Sequence, residues 1–80
     1  MEKTCSLSEL RTGQRARVED VGKDGAFTRR MLEMGLTPGT RVRMGRRAPM
    51  GDPIEVWLRG YALTLRGRDI RGVRVRPVDP

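Results

Sequence analysis

The sequence predicts one small, mainly β domain: about five short strands, one α-helix after the first strand and short helical turns, curled into a small barrel. Three observations carry this expectation. Apolar and polar residues alternate in five separate short runs, as in half-buried strands. Only one segment has a sustained helical period, and Gly or Pro punctuates most junctions. Eighty residues with no internal repeat, linker or low-complexity run make a single domain spanning 1–80. At that size folding buries only about 60–65% of the unfolded surface.

The first element is a helical turn. Ser6-Leu7-Ser8-Glu9 has capping-box spacing, in which the Ser6 hydroxyl accepts from the Glu9 N–H and the Glu9 carboxylate reaches back. Leu7 and Leu10 share one face of that turn, which Thr12-Gly13 closes. Residues 14–19 then alternate, with Ala16 and Val18 apolar between charged neighbours, and form the first strand. Gly22 marks a turn, and Asp24 stands where a helix N-cap is needed.

From Gly25 the period changes. Phe27, Met31 and Met34 fall at i, i+4 and i+7, Leu32 widens the stripe, and Gly35 takes the C-terminal capping position. Thr37-Pro38-Gly39-Thr40 has the type II turn pattern and delivers a second strand over 41–44. Residues 45–53 hold two Gly and two Pro and read as a loop. Strands over 54–58 and 61–65 flank Arg59-Gly60 as a hairpin. One helical turn at Arg68-Asp69-Ile70 precedes a last strand over 73–75, before Pro77. Closing short antiparallel strands into an SH3-like barrel buries one apolar face and limits exposed edges. An OB-fold fits less well, because its strands are longer and its helix comes later.

Composition excludes several classes of chemistry. There is no His, so Ser–His–Asp and Cys–His catalysis and His-based metal sites are absent. Cys5 is the only cysteine and cannot form an internal disulfide. No apolar run approaches the ~20 residues of a membrane span, and no signal-peptide pattern opens the chain; the expectation is a cytoplasmic protein. No phosphate-binding Gly motif occurs. Asp52 and Glu55 are the nearest approach to a hard-cation site, and their Gly/Pro surroundings favour turn formation and solvated charge. No catalytic residue, metal ligand set or cofactor site is assigned.

Charge is the strongest compositional signal. Seventeen basic against ten acidic residues give +7, and fifteen of the seventeen are Arg. Residues 41–80 carry ten basic and four acidic groups, so the excess lies in the second half. Arg recognises phosphate and carboxylate in bidentate fashion, although solvated charge reflecting codon usage would look the same. If Ile54, Val56 and Leu58 point inward, Trp57 points outward. It then anchors an interface, covers the stem of a neighbouring Arg or packs under the 45–53 loop. Met50, between Pro49 and Gly51, lies too far along the loop to reach the core. Trp57, Met50, Arg46, Arg47 and Arg59 are therefore the candidate partner-binding residues, as an apolar patch with a cationic rim.

Longer motifs point further. Arg30-Met31-Leu32-Glu33-Met34-Gly35-Leu36-Thr37-Pro38-Gly39-Thr40 resembles the signature of the ferrous iron transport protein A (FeoA) family. Ala48-Pro49-Met50-Gly51-Asp52-Pro53-Ile54 is similar to that family's Pro-x-Gly-Asp-Pro loop, and Gly60-Tyr61-Ala62-Leu63-Thr64-Leu65-Arg66 to its next strand. Ile70 stands where members often carry Ala.

The resemblance implies an SH3-like domain and a non-enzymatic role in bacterial ferrous iron uptake. It further implies protein–protein interaction at the cytoplasmic side of the membrane GTPase and iron permease FeoB. The family's transition-metal-binding label has no matching ligand set in this sequence. The alternative is a basic nucleic-acid-binding small barrel using Arg41, Arg43, Arg46, Arg47, Arg74 and Arg76. A weak homodimer through the apolar patch is the remaining interaction open to the chain.

Overall fold

The computed structural model describes residues 3–23 and 25–78; the proposed Asp24 cap lies outside them. Six strands form one sheet: β1 (Cys5–Ser6), β2 (Arg15–Asp20), β3 (Arg41–Arg47), β4 (Ile54–Leu58), β5 (Tyr61–Leu65) and β6 (Arg74–Pro77). Their order is β1-β6-β2-β3-β4-β5, with every neighbouring pair antiparallel. A 3-10 turn (Leu7–Glu9) follows β1, helix α1 (Gly25–Glu33) joins β2 to β3, and α2 (Gly67–Ile70) joins β5 to β6.

The sheet is open. β1 and β5 are its two edges and do not pair, so the closed barrel of about five strands expected from the sequence is not what forms. Closure was expected because short strands with so few apolar residues would have to cover their own inner face. Here the non-strand segments cover it. Leu7 and Leu10 beside the 3-10 turn, Met31 and Leu36 from the helical region, and Ile70 and Val73 at α2 are all buried. They join one cluster with Ala16, Val18, Val42, Met44, Ile54, Val56, Leu58 and Val75 from the strands.

Most local expectations hold. The Ser6–Glu9 capping box forms, with the Ser6 N–H donating to Glu9 Oε1 at 2.8 Å. In β4 residues 54, 56 and 58 are buried and 55 and 57 half-buried, as the alternation requires. Only Met31 of the helical stripe is fully buried; Phe27 and Met34 pack against the cluster from its margin, and Leu32 is exposed.

Two misread segments have one cause, pairing between distant residues. β3 runs on to Arg47, so the expected 45–53 loop is shorter. Its register passes from Met44↔Val56 to Arg47↔Ile54, which places one extra residue on β3. Gly45 sits in that bulge, where a Cβ would lie 3.0 Å from the Glu55 carbonyl oxygen. The two-residue β1 was not predicted at all. It pairs only Arg74 and Val75 of β6, so Pro77, which lacks an N–H, falls where β6 has run past that neighbour.

The C-terminus of α1 is closed from two directions. Gly35 N–H donates to Leu32 O and Leu36 N–H to Met31 O, each at 3.0 Å, the paired bonds of a Schellman cap. Gly35 has φ +103°, which favours Gly. The Tyr61 hydroxyl on β5 donates to Met34 O at 3.0 Å and tethers the helix end to the sheet. An added Cβ at Gly35 would lie 2.5 Å from that hydroxyl. Gly35→Ala should therefore cost about 1–3 kcal/mol in urea unfolding. Tyr61→Phe alone should cost about 1 kcal/mol, and in combination with Gly35→Ala it should recover the steric part of the loss while the φ strain remains.

Candidate interaction surface

The inward alternation of the strands fixes what faces outward. In β2 and β3 the exposed positions between buried ones are Arg15, Arg17, Arg41 and Arg43. Register then aligns them across strands. One row runs Arg15, Arg43, Trp57 and Ala62 over β2, β3, β4 and β5. The next runs Arg76, Arg17 and Arg41 over β6, β2 and β3. Arg43 lies over the Trp57 ring, 5.7 Å from its centroid, and the indole N–H donates to Glu55 Oε1 at 3.0 Å. Trp57 therefore faces outward as expected and also carries a neighbouring arginine, a contact worth about 0.5–1 kcal/mol at an exposed site.

The predicted patch is divided in two. Trp57 and Arg59 border an open concavity of about 530 Å³ with Arg15, Arg41, Leu58 and Val78. Met50, 92% exposed at the loop tip, borders a different concavity of about 380 Å³ with Arg47, Arg66 and Arg71. Arg46 is exposed on β3. Arg47 is committed inward: its Nη2 donates to Ser8 O at 2.6 Å and Leu10 O at 2.8 Å, tying β3 to the 3-10 turn.

Of the arginines considered for nucleic acid, Arg74 donates to Thr4 O at 3.2 Å and Arg76 pairs with Glu19 at 3.3 Å. With Arg47 also engaged, half of that set holds the fold together. Sequence reading missed Arg15 and Arg17 as surface candidates. The signal was present as a thrice-repeated Arg–apolar–Arg pattern at 15–17, 41–43 and 74–76.

The Asp52 and Glu55 carboxylates are occupied locally. Asp52 accepts from the Gly67 N–H and lies 3.6 Å from Arg66, whereas Glu55 serves Trp57 and the Arg46 N–H. They hold separate partners instead of one cation, and no group of three or more Cys, Asp or Glu converges among the described residues. The Cys5 thiol is pushed above its usual pKa by burial and then by the Glu9 charge, with Arg74 opposing, so it stays neutral at ordinary pH. No helix among the described residues is long and apolar enough to cross a membrane.

The described residues form a small antiparallel sheet whose core is shielded by helical segments and whose cationic, Trp-bearing face is turned outward. Comparison with known proteins makes this specific. The solution structure of FeoA from Chlorobium tepidum shares 40% identity at a TM-score of 0.85, covering 92% of this chain and 70% of that one. A FeoA-like protein from Clostridium acetobutylicum shares 31% identity at a TM-score of 0.89, covering all of this chain and 93% of that one. A Porphyromonas gingivalis protein described as an Fe(2+) transport protein A/Fe(2+) transporter FeoB fusion is 36% identical over 69 residues. That match takes in 86% of this chain but only 8% of the fusion protein.

Residues 5–77 match the FeoA domain, and the chain belongs to the FeoA family.

Arg47→Met keeps the aliphatic stem and removes both donors to the 3-10 turn. It should lower unfolding stability by about 1–3 kcal/mol, read by urea titration; an unchanged midpoint would mean the two bonds contribute nothing to the fold.

Proposed function

We propose that this chain is a small cytoplasmic accessory or regulatory protein of bacterial ferrous iron uptake that docks on the cytoplasmic side of a FeoB-type membrane GTPase and iron permease. One observation carries this: in the Porphyromonas gingivalis relative the matching segment is part of one polypeptide with the Fe(2+) transporter FeoB. Fusion keeps two partners at high effective concentration, and a domain that works beside such a partner needs a surface that meets it. Trp57 and Arg59 supply the anchor in this reading. Met50 and the exposed Arg46 form a second contact point on the loop side; Arg47, expected to join them, is spent on the 3-10 turn.

A standard contact buries roughly 800 Å² per partner. Among the described residues no group of three or more Cys, Asp or Glu converges, and the docking reading does not depend on a metal held by this chain.

The test is capture of the permease's GTPase region by the immobilised protein. Trp57→Ala should weaken capture by roughly tenfold or more, as loss of a central aromatic anchor does, and Met50→Asp should weaken it less. Capture unchanged by both variants rules out this surface; no capture by the wild type rules out the partner.

A further inference from the structure

The outer sheet face contains an energetic anomaly. Arg15 stands directly opposite Arg43, and Arg17 opposite both Arg41 and Arg76. Like charges in cross-strand register destabilise a sheet. Arg76 is offset by Glu19. Arg15, Arg17, Arg41 and Arg43 are exposed, and no ion pair is formed by any of them among the described residues. Two carboxylates share this face: Glu19 pairs with Arg76, and Glu55 accepts from the Trp57 and Arg46 N–H groups, so neither forms an ion pair with these four. Four guanidiniums are thus held in like-charge register without a carboxylate partner among the described residues, and only Arg43 has another contact, over the Trp57 ring.

We propose that the outer face of β2, β3 and β4 is a receptor for an extended acidic peptide segment that carries an apolar side chain. Successive outward residues on a strand lie about 7 Å apart, and adjacent strands about 4.8 Å apart. An extended peptide with carboxylates at every second residue repeats at the same ~7 Å. One carboxylate then sits between Arg15 and Arg43 and the next between Arg17 and Arg41. Each accepts charge-assisted hydrogen bonds from two guanidiniums and removes their mutual repulsion. The concavity bordered by Trp57 and Val78, rimmed by Arg15, Arg41 and Arg59, takes the apolar side chain beside the acidic run.

That apolar seat favours a peptide over nucleic acid, whose phosphates have a similar repeat but nothing to fill it. The Trp57 ring also already carries Arg43, which takes a face that a stacked base would need. The proposal deepens the docking reading above and rests on it only for which protein supplies the segment.

The experiment measures anisotropy of a short labelled peptide of alternating Glu and Thr with a central Leu, against the same peptide with Gln for Glu. Mixed-sequence duplex DNA and phosphatidylglycerol vesicles serve as competitors. The variant is Arg17→Gln with Arg41→Gln, which leaves Arg43 and Trp57 in place.

The Glu peptide should bind in a salt-sensitive manner, and the Gln peptide roughly tenfold or more weakly. The double variant should lose a similar factor while melting at the same or a higher temperature, because like charges have been removed. Equal binding of the two peptides, undiminished binding by the variant or a lowered melting temperature overturns the proposal. Duplex or vesicles held more tightly than the Glu peptide through the same arginines also overturn it. Peptide binding without capture of the permease region leaves the receptor standing and removes the docking reading. Capture that the peptide neither competes with nor reproduces does the reverse.

Discussion

The turn Leu7–Glu9 is the knot on which the described fold depends. Its backbone and side chains receive or give hydrogen bonds to segments far along the chain. Leu7 N–H donates to Val73 O at 2.8 Å, the Ser6 hydroxyl to Arg71 O at 2.7 Å, and Arg47 to the Ser8 and Leu10 carbonyls. These bonds bring β1, β3 and the α2–β6 connection to one point, with Leu7 and Leu10 fully buried beneath it. Where the edges of an open sheet do not meet, such a plug is what keeps water from the apolar face.

Legibility in the sequence followed the range of the interactions. Features set within a few residues could be read: the Ser6–Glu9 box, the Gly35 cap, the Thr37–Thr40 turn with Gly39 at φ +94° and the alternation of β4. Features set by distant partners could not. Gly45 looked like loop punctuation because its reason for being Gly is the backbone of Glu55 on the next strand. Cys5 and Ser6 form a strand only because β6 lies beside them. The open sheet belongs to the same group, since local pattern cannot say whether a helical turn or another strand will cover a given apolar face.

The candidate surface was half legible for the same reason. Outward placement of Trp57 follows from alternation within β4, but its stacking under Arg43 follows from register between β3 and β4. Met50 and Trp57 looked like one patch along the sequence and border two different concavities in space. Arg47, a charge at a loop edge on paper, is a tie-rod between strand and turn. Meanwhile the pairing that settles Ala16 against Val42 on the buried side forces Arg15 against Arg43 and Arg17 against Arg41 on the other. The two faces are not independent: the inner side selects a register, and the outer side inherits a charge pattern it would not choose for stability.

The position of β6 has a consequence in time. This strand enters between β1 and β2, and the Ser6–Arg71 bond it helps align joins residues 65 apart in sequence. Pairing of β2 through β5 needs only neighbouring segments, so that meander can assemble while the chain is still emerging during synthesis. The N-terminal turn can take its Arg47 bonds from β3 early, but its bonds to Arg71 and Val73 must wait for the segment that leads into β6. Distant pairing of this kind slows folding, as loop-closure entropy is lost before the contacts are gained. A nascent chain stopped short of β6 would expose Leu7, Leu10 and the outer edge of β2, and it is in that interval that the domain is most open to wrong partners.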